Sequence, residues 1–313
     1  MESANNTGLT YFYFHPFSTI PEVRLLMFVF FLVLFLLSLL VNPAVLLGVH
    51  NERSLHTPMY FFLSSLAMLE IVYSFVLAPL TLANLLSAKK PSISLPGCGT
   101  QMFFFIFLGS SDCFLLSVMA YDRYVAICQP LRYSSIMSWK VCTALVAGTF
   151  TICFLFGMQI TILILRLPFC GNHEINHFFC DFPAVLKLAC GDTHAHHATF
   201  FIISAIVMVI PFLLILISYI FIVRAILRIS TTSGRQRAFS TCSSHLMLVI
   251  MQYACASVTY LRPGSRYSSQ ERQVVSICYT FGTPVLNPLI YTMRNRELKD
   301  ALTKILRKYL LCK

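Results

Sequence analysis

The sequence predicts an all-α membrane protein, with seven transmembrane helices in one bundle and a short amphipathic eighth helix on the cytoplasmic face. Three observations carry this. The 313 residues are 57% hydrophobic and only 11% charged, against about 25% charged in ordinary soluble domains, and mean hydropathy is +0.75. The apolar residues fall in seven stretches, roughly 24–50, 58–87, 97–127, 140–166, 197–228, 237–261 and 270–293, each exceeding the ~20 residues a membrane helix needs. The basic residues concentrate in alternate gaps between these stretches, as the positive-inside rule requires.

Taken in order, residues 1–23 form a short polar tail without the basic start and continuous apolar core of a cleavable signal peptide, so the first stretch is expected to act as the targeting signal. Asn5 opens Asn5-Asn6-Thr7, the one N-glycosylation acceptor in the chain, which is usable only on a lumenal tail. Residues 24–293 read as one membrane domain, with no internal repeat and no linker. No stretch alternates with the period of a barrel strand. Arg53 follows the first stretch; Arg123, Arg132 and Lys140 lie at or beyond the end of the third; Arg224, Arg228, Arg235 and Arg237 lie at or beyond the end of the fifth. Further bases follow the seventh, placing the N-terminus outside and the C-terminus inside, which an odd number of spans satisfies. Residues 294–313 are the cytoplasmic tail. Within it 295–309 carries Leu298, Leu302, Ile305, Leu306 and Tyr309 on one stripe, with Lys299, Lys304, Arg307 and Lys308 around it. Such a helix lies along the inner leaflet, held by apolar burial and anionic lipid.

Several function classes are excluded. A net charge of +11 would suit nucleic acid, but the charges sit in short loops and form no compact basic domain. No nucleophile–base set, phosphate loop or metal motif supports an enzyme. A transporter would show repeat symmetry or midplane charges on several helices, whereas only Glu70 and Asp112 lie deep in apolar stretches. Such acids are expensive in a bilayer, so they pair, protonate or hold a cation. In the seventh stretch Pro288 removes a backbone donor and bends the helix, and Asn287 is expected to satisfy the freed carbonyls or to reach Glu70. On the outer side, Cys98, Cys170, Cys180 and Cys190 suggest two disulfides, for which counting leaves three connectivities. His194, His196 and His197, with His173 and His177, offer imidazoles to zinc or copper, but without tetrahedral ligand spacing.

The segment Met119-Ala120-Tyr121-Asp122-Arg123-Tyr124-Val125-Ala126-Ile127-Cys128 closes the third stretch. Nearly letter for letter it resembles the third-helix signature of olfactory receptors, a branch of the rhodopsin-like G-protein-coupled receptors. Arg237-Ala238-Phe239-Ser240-Thr241-Cys242-Ser243-Ser244-His245 resembles the family's sixth-helix signature, and Pro284-Val285-Leu286-Asn287-Pro288-Leu289-Ile290-Tyr291 its seventh-helix activation motif. Pro58-Met59-Tyr60-Phe61-Phe62-Leu63-Ser64 looks like the start of its second helix and Tyr260-Leu261-Arg262-Pro263 like the end of its sixth, so the resemblance spans nearly the whole chain. A rhodopsin-like receptor outside the olfactory branch would lack the paired second-loop cysteines and the Ser-Thr-Cys-x-Ser-His run. The short third outer loop is similar to that of the tetrapod-type (class II) receptors. Two departures stand out: Val41-Asn42-Pro43 replaces Gly-Asn followed by apolar residues, with Pro43 expected to kink the first helix, and Gln252-Tyr253-Ala254 replaces Phe-Tyr-Gly.

The resemblance implies disulfides Cys98–Cys180 and Cys170–Cys190. It implies an activation switch of Asp122, Arg123, Tyr124, Tyr219, His245, Asn287, Pro288 and Tyr291, with Arg123 paired to Asp122 at rest. It brings Glu70 and Asp112 beside Asn42 and Asn287, where the two acids hold a sodium ion or share a proton; no other cofactor is expected. Ligand is expected among Phe104, Phe105, Leu108, Ser111, Ile203, Met208, Tyr253, Ser257, Tyr260, Ile277 and Thr280, an apolar and aromatic lining with a few hydroxyls. Phe105 stands where amine receptors carry an aspartate, and no acid is expected nearby, so the ligand would be a small, neutral, mostly hydrophobic odorant. The implied partner is the stimulatory olfactory-type G protein, raising cyclic AMP at the plasma membrane.

Overall fold

A computed structural model describes residues 11–18, 20–87, 90–170, 173–260, 275–294 and 296–310. The chain is a seven-helix membrane bundle. The first three spans are α1 (Pro21–Asn51), α2 (Pro58–Leu86) and α3 (Leu95–Cys128). After the short turn α4 (Tyr133–Ile136) comes α5 (Trp139–Leu165), and after the outer-loop helix α6 (Phe182–Leu186) comes α7 (His194–Leu227). Among the described residues these five long helices are by themselves long and apolar enough to cross a membrane. α8 (Thr232–Tyr260) and the helical segment 275–294 complete the seven. That last segment passes through a π-helical turn, Cys278–Gly282, into α9 (Thr283–Arg294).

Local chemistry explains the boundaries. Proline stands in the first turn of α1, α2 and α3, where its missing N–H is not needed. The Ser94 hydroxyl caps α3 by accepting from Gly97 N at 3.2 Å. α1 begins at Pro21, three residues before the expected start of the span, and runs on through Pro43 as one helix. Long outward faces carry leucine, valine, isoleucine and phenylalanine: Leu26, Phe30 and Leu40 on α1, and Ile202, Leu214 and Ile217 on α7 are exposed from the protein. A bundle in lipid needs no polar shell there.

The outer face carries a small sheet that the apolar periodicity gave no reason to expect. Strand β1 (Tyr11–Phe14) pairs antiparallel with β2 (Ser92–Ser94) and parallel with β3 (Glu174–Ile175), drawing the tail and both outer loops together. Phe12 and Phe14 are buried beneath it while Tyr11 and Tyr13 face out, the two-residue period of a half-buried strand. On the inner face α10 (Arg296–Leu310) packs Leu298 and Leu302 onto Gly48 of α1, where a Cβ would approach a Leu302 methyl to 3.3 Å. Lys304 Nζ donates to Glu52 at 2.8 Å and Tyr60 Oη to Glu297 at 3.1 Å, fastening this helix to the first inner loop and α2.

Candidate functional site: the bundle cavity and its cytoplasmic clamp

Both disulfides expected by resemblance form. Cys98 at the head of α3 bonds Cys180, and Cys170 bonds Cys190 within the second outer loop. The first is reinforced by Gln101, whose Oε1 accepts from Cys180 N at 3.0 Å. This anchor forces the residues after Cys180 down into the mouth of the bundle.

Below it lies a cavity of about 70 Å³ lined from α3, α5, α6, α7, α8 and the π-helical turn. Phe105, Ile203 and Met208 of the expected set line it, with Ser204, Val207, Phe182 and Tyr279 among the others. Phe104, Leu108, Ser111, Tyr253, Ser257, Ile277 and Thr280 are not in that lining. Leu108 and Ser111 are buried in packing, Ser111 donating to Phe107 O at 2.7 Å. The side chain of Tyr260 lies outside the described residues, as do Asn5 and the third outer loop.

One expectation is overturned: an acid does lie at the cavity. Asp181, buried, is part of the lining. It sits there because it follows Cys180, whose bond to α3 carries it inward. Periodicity places membrane acids along helices and has no means of seeing one delivered by a loop. Asp181 has protein partners of its own, so it is not an open anion.

Deeper in the bundle Asn287 donates to Glu70, linking the seventh span to α2. The carbonyl freed by Pro288, that of Pro284, is taken not by Asn287 but by Asn42, whose Nδ2 donates to it at 2.8 Å across from α1. The two asparagines thus divide the work that sequence reasoning assigned to one. Glu70 and Asp112 are both buried, on adjacent helices. Asp112 Oδ1, Asn42 Oδ1 and Tyr291 Oη are buried without a hydrogen-bond partner among the described residues. Unpaired oxygens of this kind fit a hard cation or a shared proton.

At the end of the bundle away from the disulfides His245 of α8 ties three helices together. Its Nε2 lies 2.9 Å from Leu116 O of α3, and its Nδ1 lies 2.9 Å from Tyr219 Oη of α7. Tyr219 also donates to Cys242 O at 3.0 Å. Asp122 is not paired with Arg123, contrary to expectation; no ion pair joins them among the described residues. Instead Tyr133, on the turn α4, donates to Asp122 Oδ1 at 2.8 Å. Burial, and then the charge of Asp122, push the Tyr133 phenol above its ordinary range, which keeps it a donor. Arg123 Nε is buried without a hydrogen-bond partner among the described residues. Tyr133 was missed because nothing local marks it; its role depends on the loop folding back beneath α3. Leu131, 98% exposed on the same loop, was missed for the same reason. The outer-loop histidines do not assemble: among the described residues no three His, Cys, Asp or Glu side chains gather to hold a metal.

The comparisons agree with this architecture. The family profile described as "Olfactory receptor" matches residues 31–309. Olfactory receptor 10V1 of Homo sapiens is 57% identical over 309 residues, covering 99% of this chain and 100% of that protein. Human Olfactory receptor 10Q1 is 52% identical over 306 residues, covering 97% of this chain and 96% of its own length. Human Olfactory receptor 10K2 is 47% identical over 308 residues, with 98% of each chain covered. The chain therefore belongs to the olfactory receptor family: a multi-pass plasma-membrane receptor, not an enzyme, that senses odorants and couples to a G protein.

Proposed function

We propose that the receptor binds a small, mostly hydrophobic, neutral odorant in the cavity between α3, α7 and α8 and activates the stimulatory olfactory-type G protein, raising cyclic AMP. The supporting observation is the cavity's size and place. At about 70 Å³ it has room for roughly two waters at ~30 Å³ each, so an odorant fits only by parting the helices around it. α7 carries Ile203, Ser204 and Met208 at the cavity and Tyr219 some four turns below, on the clamp to His245. A ligand that wedges α7 from α3 and α8 acts directly on that clamp, and one that fits the opened arrangement better shifts the population toward it. The apolar lining favours a neutral compound; Asp181 offers it one hydrogen-bond acceptor.

On the inner side Arg123, the exposed Leu131 and the bases Arg224, Arg228 and Arg235 form the surface for the G protein. The distribution of basic residues supports this orientation, with the N-terminus outside, where the Asn5 acceptor can be glycosylated. Glu70 and Asp112, with Asn42 and Asn287, would hold a sodium ion, which would supply charge neutralisation there, or would share a proton. α10 rests on anionic lipid.

The test is a cyclic AMP assay in cells carrying the receptor and its stimulatory G protein. Neutral odorants are compared with amines and carboxylic acids, with an Arg123→Ala control present at the surface. A graded response to a neutral compound, absent in the control, is expected. A response confined to amines would overturn the neutral reading and place Asp181 at the ligand's charge.

A further inference from the structure

A second cavity, about 310 Å³ in volume, lies at the outer ends of α1 and α2, beside strand β1 and distinct from the one inside the bundle. Its apolar wall includes Phe14, Phe17 and Phe178, and its polar lining includes Arg24, Lys90 and Asn84. Among the described residues the lining contains no carboxylate.

The two cations are held in place without being used up. Arg24 caps the C-terminal end of α2: its Nε donates to Leu85 O at 3.1 Å, and its Nη2 to Leu85 O at 2.8 Å and to Ser87 O. Guanidinium has donors on three nitrogens, and here Nη1 has no acceptor among the described residues. Lys90 Nζ donates to Glu174 at 3.0 Å, but the other oxygen of that carboxylate is taken by His15 Nδ1 at 3.2 Å. One acid at the rim thus serves two bases, and the cleft keeps an excess of positive charge from Arg24.

We propose that this cleft is a second ligand site and takes a small amphipathic carboxylate, its chain among the three phenylalanines and its head on Arg24 and Lys90. Charge-assisted bonds from these bases are roughly twice as strong as neutral ones, which selects a carboxylate over an alcohol of equal length. An amine meets like charge. The volume equals about ten waters at ~30 Å³ each, close to the bulk of an eight-carbon acid. The occupant bridges the N-terminal strand, α1 and α2, so it stabilises the outer sheet whatever binds in the bundle. The site does not depend on the odorant reading.

The experiment uses the intact receptor in phosphatidylcholine nanodiscs. Its thermal midpoint is followed with octanoate, octanol and octylamine, and octanoate binding by saturation-transfer NMR. Octanoate is expected to raise the midpoint, octanol far less, and octylamine not at all. Asn84→Trp fills the cleft while leaving the backbone carbonyls that Arg24 caps, and should abolish the octanoate shift. Lys90→Gln, at an exposed position, should weaken octanoate binding five- to tenfold. Ser204→Trp, which blocks the bundle cavity, should leave the shift intact. Discs containing phosphatidylserine identify the source of the carboxylate: if lipid supplies it, those discs raise the wild-type midpoint, spare Asn84→Trp, and leave octanoate nothing to add. The proposal is overturned if the shift survives Asn84→Trp, disappears in Ser204→Trp, or is matched by octanol.

Discussion

Replacing Asn42 with leucine removes the donor that satisfies the Pro284 carbonyl, the acceptor left open by Pro288. Leucine keeps the branched four-atom skeleton of asparagine but is bulkier, and that steric part, present in both backgrounds of the cycle below, cancels in the coupling. A buried acceptor left unpaired costs about 1–3 kcal/mol in water-soluble proteins, while interhelical hydrogen bonds in membranes average ~0.6 and reach ~1.7. The further bonds from Asn42 to Ser38 stay within α1 and add little, because the Ser38 hydroxyl keeps Ser74 at 2.8 Å. The expected cost is therefore about 1–1.5 kcal/mol. In a Pro288→Ala background the restored N–H can bond the Pro284 carbonyl itself, and the hydrogen-bond part of the Asn42→Leu cost should fall below ~0.5 kcal/mol. A double-mutant cycle by equilibrium unfolding in mixed micelles reads this coupling directly. A coupling near zero would mean that Asn42 does not serve the proline-freed carbonyl, and the reasoning fails.

Three further outcomes are expected. Cys98→Ser opens a link spanning 82 residues and Cys170→Ser one spanning 20; on chain-entropy grounds the first should cost about 1 kcal/mol more, read as a larger loss of surface receptor by flow cytometry. Leu131→Asp should lower the maximal cyclic AMP response at least tenfold at equal surface level, with odorant binding unchanged. Glu174 is held below the usual carboxylate range by hydrogen bonds from Lys90 and then His15. Its contribution to the outer sheet is thus complete above the unfolded value of about 4.3 and is lost as pH falls through the lower folded value. Amide exchange in β1, corrected for intrinsic rate, should hold from pH 7 to 5 and weaken toward pH 3, and Glu174→Gln should remove that dependence.

The spans were legible because lipid leaves few choices: an apolar run longer than the bilayer core must be a helix. Their ends moved by a few residues where prolines and Ser94 set the first turns. The outer sheet was not legible, because its strands are two to four residues long and come from three separate segments. Pairing across such distances leaves no local periodicity. Asp181 shows the same limit at the site, since its position follows from a disulfide partner on another helix. Asn42 was seen as a departure from the family pattern, yet its bond to Pro284 depends on how α1 meets the seventh span. The disulfide partners and switch residues came from resemblance rather than from spacing, and Tyr133, outside the quoted motifs, was missed by both routes.

The central claim is that the narrow cavity under the second outer loop is where odorant acts. Ser204 lines it from α7 and is only part-buried, so both a smaller and a larger side chain can be placed there. Dose–response curves for a compound that activates the wild type should be measured for Ser204→Ala and Ser204→Trp at matched surface levels. The alanine variant should stay within about threefold of wild-type potency, as one neutral hydrogen bond implies, and the tryptophan variant should lose the response while keeping basal cyclic AMP. Wild-type potency in Ser204→Trp would contradict the account.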